Sequence, residues 1–196
     1  DPDDLERLRP PLPTIEGLVT VGHGAMEAEA FASLLDAAGI ARVVDVRRAP
    51  ASRRHPQFGR EAMSSWLRAA GVAYRWEPDL GGWRQPPPHS PDSALREPAF
   101  RGYAAHMRGS AFAAALDAVL AEAAAQPTAV MCSEGHWKNC HRRLIADACA
   151  LGRGVPVLHL LQDGRLERHV SIEGARLDGG LLVYDAGQTA LDLGGG

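Results

Sequence analysis

The stretch AVMCSEGHWKNCHRRLIADAC, residues 129–149, holds all three cysteines of the chain. Alongside Cys132, Cys140 and Cys149 it carries His136, His141, Glu134 and the pair Arg142-Arg143. Cys132 follows an apolar AVM run, so its sulfur falls at the end of a strand where a loop opens. Cys140, His141 and Arg142 fall at the start of the next helix, whose unpaired N–H groups favour an anion or a thiolate. A thiol beside arginine and histidine has a lowered pKa and becomes a nucleophile or a redox group. Cys149, spaced with Leu144 and Ile145 on one helix face, reads as packing.

Two further segments carry polar residues at expected strand ends. Gly22, His23 and Gly24 close the run GLVTVGHG, and Asp45, Arg47 and Arg48 close ARVVDVRR. Ser52, Arg53 and Arg54 follow at once, so that arginines cluster into a ready anion site. In a parallel sheet all three ends open onto one edge, where ligands bind. The roles this implies are Arg47, Arg53, Arg54 and Arg142 holding a phosphate or carboxylate, and Cys132 or Cys140 as nucleophile. His141 or His23 moves protons, and Glu134 or Asp45 orients the base. Ser52 joins the anion site, with Trp83 and Trp137 as aromatic contacts. Trp137, in mid-loop, is expected to lie exposed with no core to serve, its ring covered either by the Pro-rich insert around Trp83 or, the reading preferred, by a flat substrate.

Rival chemistries use the same residues. Cys132, His136, Cys140 and His141 are enough ligands for an iron or zinc ion. Their spacing, however, lacks the CxxC knuckles and paired histidines of common zinc sites, and the arginines disfavour a cation. The first reading requires no metal or other cofactor. A non-catalytic module is the other rival: a Cys132–Cys140 redox pair, or a nucleic-acid binder gripping phosphates. The expected partner is a small anionic molecule or nucleotide. Which reaction, substrate and oligomeric state apply is left open by the residues.

The elements that position these groups read as follows. Residues 1–14 are polar and Pro-rich, an arm. Residues 15–170 form one α/β domain: strand, helix (AMEAEAFASLLDAAGI) and strand open it as a βαβ unit. A helix follows at REAMSSWLRAAG, with Met63, Trp66 and Leu67 inward. The segment DLGGWRQPPPHSPDSALREPAF is a long Pro/Gly-rich insert, of the kind that carries function in compact domains. Helix RGYAAHMRGSAFAAALDAVLAEAAAQ breaks near Gly109-Ser110, and PTAVMC, HRRLIADACALG and VPVLHLL repeat strand, helix and strand. Residues 171–196 form a C-terminal extension with short β segments. The fold class is therefore α/β: three layers around a mostly parallel, Rossmann-like sheet. At 196 residues, 45% apolar, 23% charged and net charge −3, the chain has the composition of a soluble globular domain. With no membrane-length apolar run, no signal segment and cysteines too close to staple the fold, the expected setting is the cytoplasm.

The motifs C-x-E-x5-C-H-R (residues 132–142) and DVR-x2-P-x-SRR (residues 45–54) make the chain similar to the DUF488 proteins, whose name records an undefined role. The resemblance runs from TVGHG to VLHL, residues 18–161. It implies an α/β domain with Gly22, His23, Asp45, Arg47, Pro50, Ser52, Arg53, Arg54, Cys132, Glu134, Cys140, His141 and Arg142 as signature positions. His136-Trp137 stands where the family often has Asp-Pro. A fainter likeness is to rhodanese-type domains, which also place a reactive cysteine after a strand. The Cys132–Arg142 loop is too long for their anion cradle, so their chemistry is an analogy only.

Overall fold

A computed structural model describes residues 15–186. The expected arm, 1–14, lies outside the described residues, as does the C-terminal extension beyond 186. Parallel strands β1 (Leu18–Gly22), β2 (Arg42–Asp45), β3 (Ala73–Trp76), β4 (Thr128–Cys132) and β5 (Val157–Leu160) and the short antiparallel edge strand β6 (Leu166–Arg168) form one sheet. Its order is β3-β2-β4-β1-β5-β6. β1 and β4 are buried along their whole length, as strands covered on both faces must be.

The crossovers fix the layers. β1→β2→β3 runs toward one edge of the sheet, and β3→β4→β5 runs back toward the other. Right-handed connections then put α1 (Ala28–Ala37) and α2 (Arg60–Ala69) on one face. They put α3 (Pro98–Met107), α4 (Ser110–Ala125) and α5 (Arg142–Arg153) on the other. Two core clusters result. Phe31, Leu35, Met63 and Leu67 pack with Val19, Val21, Val43 and Met131 on the first face. Tyr103, Phe112, Leu116, Leu144 and Ile145 pack with Leu18, Val44 and Val130 on the second. Helix α1 buries Phe31, Leu34 and Leu35 at helical spacing and stops before Gly39, whose φ of 69° is open to glycine at little cost. Met63 and Leu67 are fully buried, while Trp66 is half-buried.

The insert has no helix or strand between its short 3₁₀ turn at Pro78–Leu80 and α3. It is nevertheless held. Buried Asp92 takes both arms of Arg108, at 3.0 and 2.8 Å, and accepts the Tyr184 N–H at 3.2 Å. Tyr184 belongs to the hairpin β7 (Ala175–Asp178) and β8 (Leu181–Tyr184), whose two-residue turn is Gly179-Gly180, both at positive φ. Leu182 and Tyr184 join the α5-side core. Among the described residues no helix is long and apolar enough to cross a membrane.

Candidate functional site

β4 ends between β2 and β1, so the three polar strand ends are neighbours. Strand alternation then separates them. Asp45 shares a face with Val43, and His23 with Val19 and Val21, which is the α1/α2 side. Cys132 shares a face with Val130, and Thr20 with Leu18, which is the α3–α5 side. The expected single cluster is therefore two.

On the α1/α2 side, Arg47 donates to both carboxylate oxygens of Asp45, at 2.8 and 2.6 Å, and Tyr74 OH donates to the same carboxylate at 2.7 Å. Both members of the ion pair are buried. His23 lies stacked on Phe58, centroids 4.0 Å apart, with Nδ1 bonded to the Gly24 carbonyl at 2.8 Å. Its Nε2 is buried without a partner, and burial lowers its pKa from 6.5 to about 4 despite the Gly24 bond. Ser52 caps the loop by accepting the His55 N–H at 2.9 Å, and Arg53 and Arg54 are exposed.

On the other side, a cavity of about 640 Å³ is floored by Cys132, Cys140 and His141 and walled by Tyr103, Phe100, Glu97, Ser133 and Glu134. Lys138, Arg143 and Trp83 complete it. His141 Nε2 is 3.1 Å from the Val46 carbonyl, an acceptor only, so Nε2 carries a hydrogen and, in the neutral ring, Nδ1 carries the lone pair. That lone pair faces two sulfurs, Cys140 at 3.6 Å and Cys132 at 4.0 Å. Gly82 lies over the ring so closely that a Cβ there would come within 2.9 Å of Nδ1.

Arg142 is 1% exposed and points at Cys140, not into the cavity. Its Nε and backbone N–H reach Cys140 Sγ at 3.3 and 3.5 Å, and its terminal nitrogens reach Thr20 Oγ1 at 3.4 Å and the Glu134 carbonyl. Gly22 makes this approach possible: a Cβ there would stand 1.9 Å from the Glu134 carbonyl oxygen and 2.6 Å from Arg142 Nη2. Burial opposes charge on Cys140. The hydrogen bond from Cys132 and the positive charge and N–H groups of Arg142 outweigh it, and lower the thiol pKa from 9.0 to about 6. Cys132, hydrogen-bonded to Cys140 and buried, is pushed up to about 12. Of the two neighbouring thiols, Cys140 is the one favoured as thiolate and Cys132 the one held protonated. Cys149 is fully buried, away from the cavity, and burial raises its thiol to about 12.

Behind Arg142 runs a polar chain with one polarity. His169 Nε2 donates to Asp147 at 2.8 Å, His159 Nε2 to His169 Nδ1 at 3.0 Å, and Thr20 Oγ1 to His159 Nδ1 at 2.6 Å. With the Asp147 carboxylate accepting and both rings neutral, this one polarity runs through to Thr20, whose oxygen is left to accept from Arg142. Tyr184 OH closes the far end on Asp147 at 3.0 Å.

The expected exposed indole of Trp137 is corrected: it is 3% exposed and stacks on His159, and it does not line the cavity. Its ring is apolar enough to be worth burying, and a histidine face was available beneath it. Trp83 is the exposed aromatic, 81% accessible at the rim, with φ at 59°, where its carbonyl accepts from Arg48. Glu134 stands on the cavity wall with Oε1 accepting the His136 N–H, while His136 Nδ1 lies 3.4 Å from the Lys138 N–H. Among the described residues, the group whose ligand atoms could share a metal ion is Cys132, Cys140 and His141, all within 4.8 Å of one another; His136 is not part of it. Lys138, Arg143, Thr20, His159, His169 and Asp147 had no part in the sequence reading of the site. Lys138 and Arg143 were legible only as neighbours of the motif, and the others needed the sheet order.

Residues 27–149 match the family model described as a domain of unknown function, DUF488. No curated protein and no solved structure matches the chain. The matched span contains the cavity and its thiols but not Thr20, His23, His159 or His169.

Proposed function

The chain belongs to the DUF488 family, and from that premise we propose that it is an enzyme processing a small anionic molecule in the cavity above Cys132, Cys140 and His141. The observation that carries this is convergence: two thiols and an imidazole lone pair meet at the floor of a cavity large enough for a small ligand. Cysteine-dependent group transfer or hydrolysis suits such a floor. Cys140 is its electron-rich group, and His141 Nδ1 is placed to accept a proton.

The anion's counter-charges differ from those expected. Arg47 is committed to Asp45, and Arg53 and Arg54 do not line the cavity. Lys138 and Arg143 do, and the N-terminal turn of α5, with Arg142 behind it, adds positive potential at the floor. A phosphate or carboxylate fits this field, and Trp83 at the rim offers a face to a flat group.

Alkylation of the metal-free protein by iodoacetate and by neutral iodoacetamide tests the reading without a known substrate. The iodoacetate-to-iodoacetamide rate ratio at Cys140 should exceed that of free glutathione several-fold. It should fall toward the glutathione value in Lys138→Gln/Arg143→Gln. A ratio equal to that of glutathione in the wild type overturns the anion assignment.

A further inference from the structure

We infer that Cys132, Cys140 and His141 are three ligands of a divalent transition-metal ion of the zinc type, with the fourth position facing the cavity. This rests on the reading of that cavity as the reaction centre, and it names how the anion is held there.

The geometry is that of a tetrahedral face. Ligand distances of about 2.3 Å to sulfur and 2.0–2.1 Å to nitrogen give edges of roughly 3.8 Å between sulfurs and roughly 3.6 Å between sulfur and nitrogen. His141 Nδ1 stands 3.6 Å from one sulfur and 4.0 Å from the other, and all three atoms lie within 4.8 Å. The two sulfur–nitrogen edges need only a few tenths of an ångström of adjustment, and the sulfurs, no more than 4.8 Å apart, must close by at most about 1 Å. The imidazole is already in the ligating tautomer, because Nε2–H is spent on the Val46 carbonyl, the outer contact that orients metal-bound histidines. The outer contacts of Cys140 are equally in place, with two N–H groups of Arg142 on its sulfur.

The ligand spacing is not that of common zinc sites, but the arginines do not occupy the space between the ligands: Arg47 is paired with Asp45, and Arg142 addresses the Cys140 sulfur, while Lys138 and Arg143 line the cavity where an anionic fourth ligand would sit. Two thiolates and one neutral imidazole suit a borderline-soft ion and not magnesium or calcium. On binding, the ion displaces the Cys132 proton to solvent, and two thiolates cancel its two charges. Arg142 leaves the loaded centre one charge positive, which favours an anionic fourth ligand. Three protein ligands and one open position are the pattern of a catalytic, not a structural, zinc site. In this state Cys140 acts as a ligand, and the open position meets the substrate oxygen.

Cobalt(II) titration of the full chain, stripped of metal and kept reduced, is the test. Expected are one equivalent bound, sulfur-to-cobalt charge-transfer absorption and the intense visible bands of a tetrahedral ion. Azide should shift those visible bands by taking the fourth position. Cys132→Ser, Cys140→Ser and His141→Ala should each weaken binding by more than about tenfold, while Cys149→Ala and His136→Ala leave it unchanged. Should ligand variants misfold by circular dichroism, the wild type still decides, since zinc must then protect Cys132 and Cys140 from iodoacetamide and chelation must restore labelling. Absence of thiolate charge transfer, or no protection by zinc, overturns the metal site. The anion-selective alkylation of the metal-free protein is independent of that result, so either proposal can fail alone.

Discussion

The indole of Trp137 lies flat on the imidazole of His159, with centroids 3.9 Å apart and planes 6° from parallel. The contact ties the mid-loop of the cysteine motif to β5, across the top of the sheet. Trp137 Nε1 adds a bond to Glu167 on β6 at 3.3 Å, so the loop is clamped to two strands. Trp137→Ala removes a nearly buried aromatic and should cost about 3–5 kcal/mol in urea unfolding. Trp137→Phe, which keeps a ring on His159, should recover much of that. A loss of alkylation selectivity with no loss of stability would contradict the packing role.

His159 is also the middle link between Asp147 and Arg142. His159→Phe keeps a ring beneath Trp137 but ends the chain, leaving Thr20 without its acceptor and Arg142 less firmly held. The pH profile of Cys140 alkylation reads this out. In the wild type the rate should rise through a midpoint near pH 6, the lowered thiol value, and level off above it. The variant's midpoint should move up toward that of an ordinary thiol. Arg142→Met should move it further, because it removes the charge itself. A profile unchanged in both variants would mean that Arg142 does not hold the thiolate. Cys149, in the core, should stay unlabelled throughout.

Much of this was legible in the chain. Alternating apolar runs and helical spacing specify the parallel α/β sandwich, because those periods follow from backbone geometry alone. The motif residues Cys132, Cys140 and His141 do meet on one cavity floor. Less legible was the division of the polar strand ends between faces. The signal was present in parity: Asp45 is an odd neighbour of Val44 and Val46, as Cys132 is an even neighbour of Val130. Reading it requires knowing which helix covers which face. Arg47 looked like part of an anion clamp because sequence shows proximity but not commitment, and its bonds to Asp45 consume both charges. The relay through Thr20, His159, His169 and Asp147 joins three elements and the residue after β6, with one link spanning 139 positions, so no local pattern could reveal it.

His23 supplies a pH dependence of stability. Its folded pKa, about 4, lies below the ordinary 6.5 because burial disfavours the cation. The unfolded chain therefore binds the proton more readily, and stability must fall as pH drops from 6.5 toward 4, then level off. The full effect is on the order of 3 kcal/mol. His159, lowered to about 3 chiefly by burial, acts in the same direction and extends the window downward. Urea unfolding at a series of pH values should show this slope, and His23→Gln should flatten its upper part. An identical slope in the variant would assign the titration elsewhere.

Of the two tryptophans expected as aromatic contacts, Trp83 lines the cavity and Trp137 does not. Trp137 is buried by its neighbours, whereas Trp83 is 81% exposed on the cavity rim at a φ of 59°, a conformation costly for a bulky side chain. The backbone is held there by Arg48 on the Trp83 carbonyl and by Gly81 and Gly82, whose lack of Cβ lets the loop press against Arg48 and His141. A side chain with so little burial contributes little to folding, so its outward placement over the cavity points to a contact with what enters. Trp83→Ala should change the unfolding free energy by less than about 0.5 kcal/mol. It should reduce protection of Cys140 by flat anionic ligands, with benzoate and phenyl phosphate as probes, while leaving protection by inorganic phosphate unaltered. Gly82→Ala should do the reverse, disturbing the His141 ring and hence alkylation of the thiols without touching the rim. If Trp83→Ala protects as well as the wild type against every probe, the indole takes no part in recognition.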